Sequence, residues 1–169
     1  MKKMAISKKI LKYLDDNKYK YEIIEHKTTF TAWDTAQTEK IKPQEVAKAL
    51  VMKTDNDYAL ALIPANRNLD KQKLLKIING ARKKVGAKNY KKIDFAKEVW
   101  MKKNLTGKVG ATPPFRKILG IDIYIDNLLA KNKKIYLGTG EYIFSIRANT
   151  SQYLKIEQPV KGVFSKSKK

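Results

Sequence analysis

Hydrophobic residues recur at helical spacing in the first part of the chain. After Ser7, which can cap a helix, Ile10, Leu11 and Leu14 fall on one face of a helix predicted over residues 7–17, and lysines occupy the opposite face. Further helices are predicted where a capping residue or a proline precedes a helical segment: through Ala36 after Thr31 and Asp34, over 44–49 after Pro43, over 70–80 from Asp70, after Asp94, and after Asn149 or Thr150.

Other apolar segments have the length and the turn signals of β-strands. The segments 50–53 and 58–63 are almost wholly apolar and flank the turn 55–57, which predicts a hairpin at the centre of a sheet. Further strands are predicted over 21–25, 121–125, 134–137 and 141–146, and a glycine- and proline-rich ordered loop over 105–117. These elements predict an α+β fold, with a mixed, mostly antiparallel β-sheet surrounded by helices.

Length and composition limit the domain organisation. A chain of 169 residues with 43% apolar residues is expected to form one domain with a real core. We place this domain at residues 1–157, with the leading helix at 7–17 and the core at 21–156, followed by a basic, loosely held tail at 158–169. The sequence has neither a signal-peptide core nor an apolar run that could span a bilayer, so a soluble cytoplasmic protein without a membrane partner is expected.

The charge balance predicts a polyanionic partner. Lys and Arg number 37 against 16 for Asp and Glu, a formal net charge of +21. General decoration of the surface with lysine remains the alternative explanation. The chain has no Cys, and its one histidine, His26, has no metal-ligand spacing around it. Nucleotide-binding glycine motifs and the G-x-S-x-G elbow of serine hydrolases are also missing, so neither a metal, a cofactor nor a catalytic nucleophile is predicted.

Four stretches carry a resemblance to a known family: EHKTTFTAWDTAQ, PQEVAKALVMKTDNDYALALIPANRNLDKQKL, GKVGATPPF and IYIDNLLAKNKKIYLGTGEYIFSI. In this order they resemble the YbaK/prolyl-tRNA synthetase-associated editing family over about 21–156. The resemblance implies a free-standing deacylase that hydrolyses the ester between a small amino acid and a tRNA such as tRNA-Pro. It also implies aminoacylated tRNA as a partner and an aminoacyl-tRNA synthetase as a second candidate partner. The expected oligomeric state is a monomer.

The same resemblance implies the site residues. Lys48, predicted at the end of a helix, matches the functional lysine thought to position the terminal phosphate or ribose, and the glycine segments match the loop and the turn of the aminoacyl pocket. The predicted catalytic set is Lys48, Gly110, Gly138 and Gly140, and the predicted substrate-binding set is Phe30, Thr31, Ala32, Thr112, Pro113 and Ser145. Several prolyl-editing members carry a histidine where this chain has Phe144 or Ser145.

Two other functions stay open at the level of sequence. A non-catalytic RNA-binding module with this fold would be equally basic, as would a regulatory subunit of a synthetase. Each surface lysine also has an ordinary explanation as a solvated charge, and Lys48 as a cation near a helix end. The amino acid removed, whether proline, alanine, cysteine or serine, is not determined by the sequence, because one methylene changes the free energy by only about 1–3 kcal/mol.

Overall fold

The structure, a computed structural model, describes residues 6–29 and 31–168. The helices in this part of the chain are α1 (Lys8–Asp16), α2 (Ala32–Glu39), α3 (Lys71–Lys84), α4 (Glu98–Asn104), α5 (Arg116–Leu119), α6 (Asn127–Ala130) and α7 (Thr150–Glu157). The strands are β1 (Tyr21–Glu25), β2 (Ala47–Thr54), β3 (Asp57–Pro64), β4 (Arg67–Leu69), β5 (Ile93–Phe95), β6 (Asp122–Asp126), β7 (Lys134–Gly138), β8 (Phe144–Asn149), β9 (Val160–Gly162) and β10 (Ser165–Ser167). The predicted α+β class is confirmed.

Three sheets form the framework of the described chain. The largest has the order β5-β2-β3-β6-β9, a second has the order β1-β8-β7, and β10 pairs with β4. Most neighbours are antiparallel, but β3–β6 and β6–β9 are parallel, so the sheet is mixed as predicted. A single bridge between Val46 and Tyr136 brings the start of β2 to β7, so the first two sheets meet where the chain enters β2.

Strand β3 contributes buried side chains to both faces of the large sheet. Side chains alternate between faces along a strand. Leu60 and Leu62 belong to one core cluster, which includes Leu14 of α1, while Ala61 and Ile63 belong to the cluster beneath α3. The unbroken apolar run therefore lies at the centre of the sheet, which confirms the prediction made from it.

Several predicted helix starts are confirmed by their caps. The side chains of Ser7, Thr31, Asp70 and Asn149 each accept a hydrogen bond from a backbone N–H in the first turn of α1, α2, α3 and α7. Helix α3, however, continues past Gly80 to Lys84. One glycine in a helix interior costs only about 1 kcal/mol, and the buried side chains of the helix outweigh that cost.

The helix predicted over 44–49 is wrong. Only a short 3-10 helix, Pro43–Glu45, forms, and β2 begins at Ala47, which pairs with Pro64 at the far end of β3. The residues E-V-A-K-A have helical propensity, but pairing with a fully buried strand overrides it, because propensity differences are small beside a ladder of hydrogen bonds and buried side chains. Lys48 therefore projects from a strand, and the helix-dipole explanation for it does not apply.

The loosely held tail predicted at 158–169 is also wrong over the described residues. Strand β9 pairs with β6, β10 pairs with β4, and Phe164 between them is completely buried. The sequence did not indicate that Phe164 is buried, because the residues around it are mostly polar and short edge strands carry little hydrophobic signal. The described residues after 157, up to 168, are therefore part of the fold.

Asp94 does not cap a helix as predicted. It lies in β5 opposite Lys53 of β2, and α4 begins later, with Lys97 as its N-cap residue. The Asp94 carboxylate instead accepts hydrogen bonds from the backbone N–H of Phe95 and from Lys71. A three-residue edge strand precedes the helix where the sequence suggested a single element.

Candidate active site

A cavity of about 360 Å³ lies where α2, the start of β2, the end of β7 and the 105–115 loop come together. Seven of the predicted site residues contribute to its lining: Thr31, Ala32, Lys48, Gly110, Thr112, Gly138 and Ser145. Gly140 and Pro113 lie outside this lining, and Phe30 lies outside the described residues. The fold thus brings together residues that are more than 100 positions apart in the sequence.

Lys48 is half-buried at the edge of the cavity. Its ammonium group donates a 2.6 Å hydrogen bond to the backbone carbonyl oxygen of Arg67, which fixes the direction of the side chain. Burial lowers the pKa of Lys48, and the positive charge of Lys168 lowers it further. An anionic group bound here would offset both effects.

The end of the chain supplies a second cation to the same cavity. Lys168 lines it and places its ammonium 4.4 Å from the ring centroid of Trp33, a cation–π contact with a ring that is 40% exposed. The preceding strand is held by Arg67, whose Nε donates to Ser165 Oγ at 2.7 Å. Arg67 therefore contacts both the strand that precedes Lys168 and, through its carbonyl oxygen, Lys48.

The chain's one histidine also lies in the cavity wall. His26 Nε2 is 2.9 Å from Ser145 Oγ, and His26 Nδ1 is 2.8 Å from the carbonyl oxygen of Lys27. Ser145 is fixed in β8 between Ile24 of β1 and Gly138 of β7. The hydroxyl on β8 and the imidazole of the residue directly after β1 therefore meet in the cavity wall, and both are largely buried.

The glycines of the two predicted segments are needed for close packing between them. A Cβ on Gly138 would lie 2.8 Å from the carbonyl oxygens of both Ala111 and Thr112, closer than real Cβ contacts allow. Gly140 has φ +90° and lies against Gly107, and its N–H donates a 2.7 Å hydrogen bond to Ala111. Gly138 therefore shapes the cavity directly, whereas Gly140 holds the loop that forms one wall.

Polar side chains complete the other walls. The hydroxyls of Thr29 and Thr35 are 2.7 Å apart, and both residues are buried and line the cavity. Glu141 also lines it and forms an ion pair of 2.7 Å with Lys108. The cavity thus has cations on one part of its wall, one carboxylate, and several neutral hydrogen-bonding groups between them.

Sequence reasoning missed His26 and Lys168 as site residues. The sequence shows no metal-ligand spacing around His26, but a single histidine directly after a predicted strand is also a signal for a pocket residue. No feature of the sequence indicates Lys168 as a site residue, because the segment before it has the composition of a polar tail. Within the described ranges, no three His, Asp or Glu side chains come together as metal ligands, and none of the helices is long and apolar enough to cross a bilayer.

Comparison with known proteins identifies the family of the chain and proteins of similar fold. Residues 26–156 match the aminoacyl-tRNA editing domain family, and this span contains every wall of the cavity except Lys168. The chain is similar in structure to the hypothetical protein APE2540, with a TM-score of 0.78, 17% identity, and coverage of 94% of this chain and 100% of that one. It is also similar to a candidate trans-editing enzyme for prolyl-tRNA synthetase, with a TM-score of 0.70, 18% identity, and coverage of 96% and 99%. No curated protein matches the sequence.

Proposed function

This chain belongs to the aminoacyl-tRNA editing domain family, and we propose that it hydrolyses the ester joining a wrongly attached amino acid to the terminal ribose of a tRNA. The observation that carries the proposal is the cavity itself, in which Lys48 and the glycine segments lie beside a set of neutral hydrogen-bonding side chains. An aminoacyl ester is already activated, so a site that positions it together with a water molecule can achieve much of the rate acceleration.

Lys48 and Lys168 are the proposed contacts for the phosphate of the terminal nucleotide. Both ammonium groups belong to the same cavity, and an ammonium binds phosphate as a compact point charge. Lys168 can leave the Trp33 ring when a phosphate replaces the cation–π contact, and the partly exposed ring then becomes available to the terminal base. Lys48 keeps its direction through Arg67, so the more buried cation is preorganised.

The amino acid is proposed to be small, and tRNA-Pro is the proposed carrier class. A cavity of about 360 Å³ has to hold part of the terminal adenosine as well as the amino acid, which leaves little room for a large side chain. This carrier is supported by the structural similarity to a candidate trans-editing enzyme for prolyl-tRNA synthetase. Val46, Ala49 and Phe144 provide apolar walls suited to a short side chain.

The body of the tRNA is proposed to bind the basic surface of the protein. A net charge of +21 gives long-range attraction to a polyanion, and Arg82, Lys83 and Lys84 cluster in the last turn of α3. We further propose that the protein acts as a monomer in the cytoplasm, without a membrane or a cofactor, and that a synthetase is a secondary partner. Proline, alanine, cysteine and serine esters are the substrates to compare.

The test is release of labelled amino acid from a panel of mischarged tRNAs. Wild-type protein is compared with Lys48→Ala and with Lys53→Ala, which removes an exposed lysine from the same strand. We expect one or two esters to be hydrolysed, a rate about 100-fold lower for Lys48→Ala, and an unchanged rate for Lys53→Ala. Binding of tRNA without hydrolysis of any ester would favour the RNA-binding module instead.

A further inference from the structure

We propose that Ser145 and His26 form a proton relay that activates the attacking water, an inference that rests on the proposed deacylase function. The two side chains are 2.9 Å apart in the cavity wall, and only 9% of His26 and 6% of Ser145 is exposed. Water is a weak nucleophile at neutral pH, so hydrolysis gains from a base that takes its proton as it attacks. The relay supplies that base.

The hydrogen bonds fix the tautomer of the neutral imidazole. The carbonyl oxygen of Lys27 can only accept, so Nδ1 of His26 carries the hydrogen and donates it over 2.8 Å. Nε2 is then an acceptor, and the hydroxyl of Ser145 donates its hydrogen to it. Because the hydroxyl hydrogen of Ser145 is donated to His26, Oγ can only accept a hydrogen bond from a donor in the cavity. Accepting a hydrogen bond is the role required towards a water molecule that is about to lose a proton.

The proton path balances over one turnover. The water oxygen forms a bond to the ester carbonyl carbon while its proton passes to Ser145 Oγ, whose own proton passes to His26 Nε2. The tetrahedral intermediate then collapses, the bond between the carbonyl carbon and the ribose oxygen breaks, and the proton on His26 returns through Ser145 to that oxygen. Free amino acid and tRNA with an intact terminal hydroxyl leave, and His26 is neutral again. Ser145 contacts the water, and His26 acts through Ser145.

The backbone holds both groups in place before substrate binds. Ser145 is paired on both sides within the β1-β8-β7 sheet, and the N–H of His26 donates a 2.8 Å hydrogen bond to Ile143. Residues on paired strands reorganise little during a reaction, which lowers the cost of proton transfer.

Other ionisable groups in the cavity wall suit the task less well. The ammonium of Lys48 has no lone pair while charged and already donates to Arg67, so it serves as a donor. The carboxylate of Glu141 is already engaged in an ion pair with Lys108 at 2.7 Å. His26, by contrast, already accepts the hydrogen of Ser145 over 2.9 Å and is placed to take that proton.

The experiment measures single-turnover hydrolysis of whichever aminoacyl-tRNA the wild-type protein cleaves. Ser145→Thr keeps a hydroxyl and Ser145→Val replaces it by a methyl group of nearly the same shape, so the pair isolates the hydroxyl. His26→Ala is assayed with and without added imidazole. We expect rates about 100-fold lower for Ser145→Val and His26→Ala with tRNA binding retained, recovery in Ser145→Thr, and a rise of about 10-fold with imidazole for His26→Ala alone.

Three results would overturn the relay. A folded His26→Ala protein that hydrolyses the ester at the wild-type rate would show that His26 is not the base. An imidazole effect of equal size on Ser145→Val would show that the rescue does not pass through the serine. A mass increase on Ser145 equal to one aminoacyl group after rapid quenching would show attack by serine itself. Thermal melting of each variant identifies unfolded protein. If the wild-type protein cleaves no ester, the proposed function fails, which is a separate outcome.

Discussion

The carboxylate of Asp126 accepts a hydrogen bond of 2.9 Å from the backbone N–H of Phe164, 38 residues further along the chain. The same carboxylate accepts from Ser165 and from Leu128, each over 2.9 Å, and Asp126 is only 1% exposed. One buried side chain thus ties the segment between β9 and β10 to the end of β6. Since this segment leads to Lys168, the hydrogen bonds of Asp126 also help to position one wall of the cavity.

Asp126→Ala is expected to lower the free energy of unfolding by roughly 2–4 kcal/mol, because buried backbone N–H groups lose their acceptor. Guanidinium denaturation measures the change, and amide hydrogen exchange should show faster exchange at Phe164 and Ser165. Asp122→Ala is the control in the same strand. Its carboxylate is 67% exposed and pairs with Arg116 at the surface, so a change below about 1 kcal/mol is expected. Equal losses in the two variants would contradict the assignment.

Lys168→Gln is expected to weaken tRNA binding about 5-fold, which corresponds to roughly 1 kcal/mol, with little change in stability. Lys168 and Lys48 line the same cavity, and the charge of Lys168 lowers the pKa of Lys48, so both ammonium groups are expected to act on an anion bound there. Lys166→Gln, at an exposed position in β10, is the matched control because it removes the same charge from the neighbouring surface. Filter binding at constant ionic strength compares the two, and identical affinities would remove Lys168 from the phosphate contact.

The two glycines Gly138 and Gly80 should respond to alanine with opposite signs. A Cβ at Gly138 would meet two backbone carbonyl oxygens at 2.8 Å, so Gly138→Ala is expected to destabilise the fold by about 1–3 kcal/mol and to lower hydrolysis. At Gly80, inside α3, a Cβ meets nothing within 4 Å, and Gly80→Ala should stabilise by about 0.5–1 kcal/mol without affecting hydrolysis. Thermal melting and the deacylation assay test both. A Gly138→Ala variant that is more stable than the wild type would show that the loop with Ala111 and Thr112 moves to accommodate the Cβ, and would contradict the prediction.

Patterns of local sequence predicted the fold better than they predicted the site. The hairpin of β2 and β3 and the caps at Ser7 and Asn149 depend on nearby residues, and the structure confirms them. The family resemblance indicates Lys48, but its location in a strand depends on pairing with β3, which local propensity does not encode. The contact between His26 and Ser145 spans 119 positions, and only the assembled sheet brings them together.

Alkaline pH should destabilise the protein through tyrosines around Glu157. Burial raises the pKa of Tyr19, and a 2.6 Å hydrogen bond to Glu157 raises it further. The same two causes raise the pKa of Tyr13, and burial raises that of Tyr153. Below about pH 10 these phenols are neutral in both states, so their contribution is complete. Above that pH the unfolded chain ionises them while the folded protein does not, so stability falls as pH rises.

Each such tyrosine contributes a slope of up to about 1.4 kcal/mol per pH unit above pH 10. Tyr19→Phe is less stable at neutral pH, since Glu157 loses one buried donor, but its stability should decline less steeply with rising pH. Guanidinium denaturation at several pH values between about 8 and 11 gives both slopes. Lysines lose their protons over the same range in both proteins, so the difference between the two slopes isolates Tyr19. Parallel curves would show that Tyr19 ionises as readily in the folded protein as in the unfolded chain.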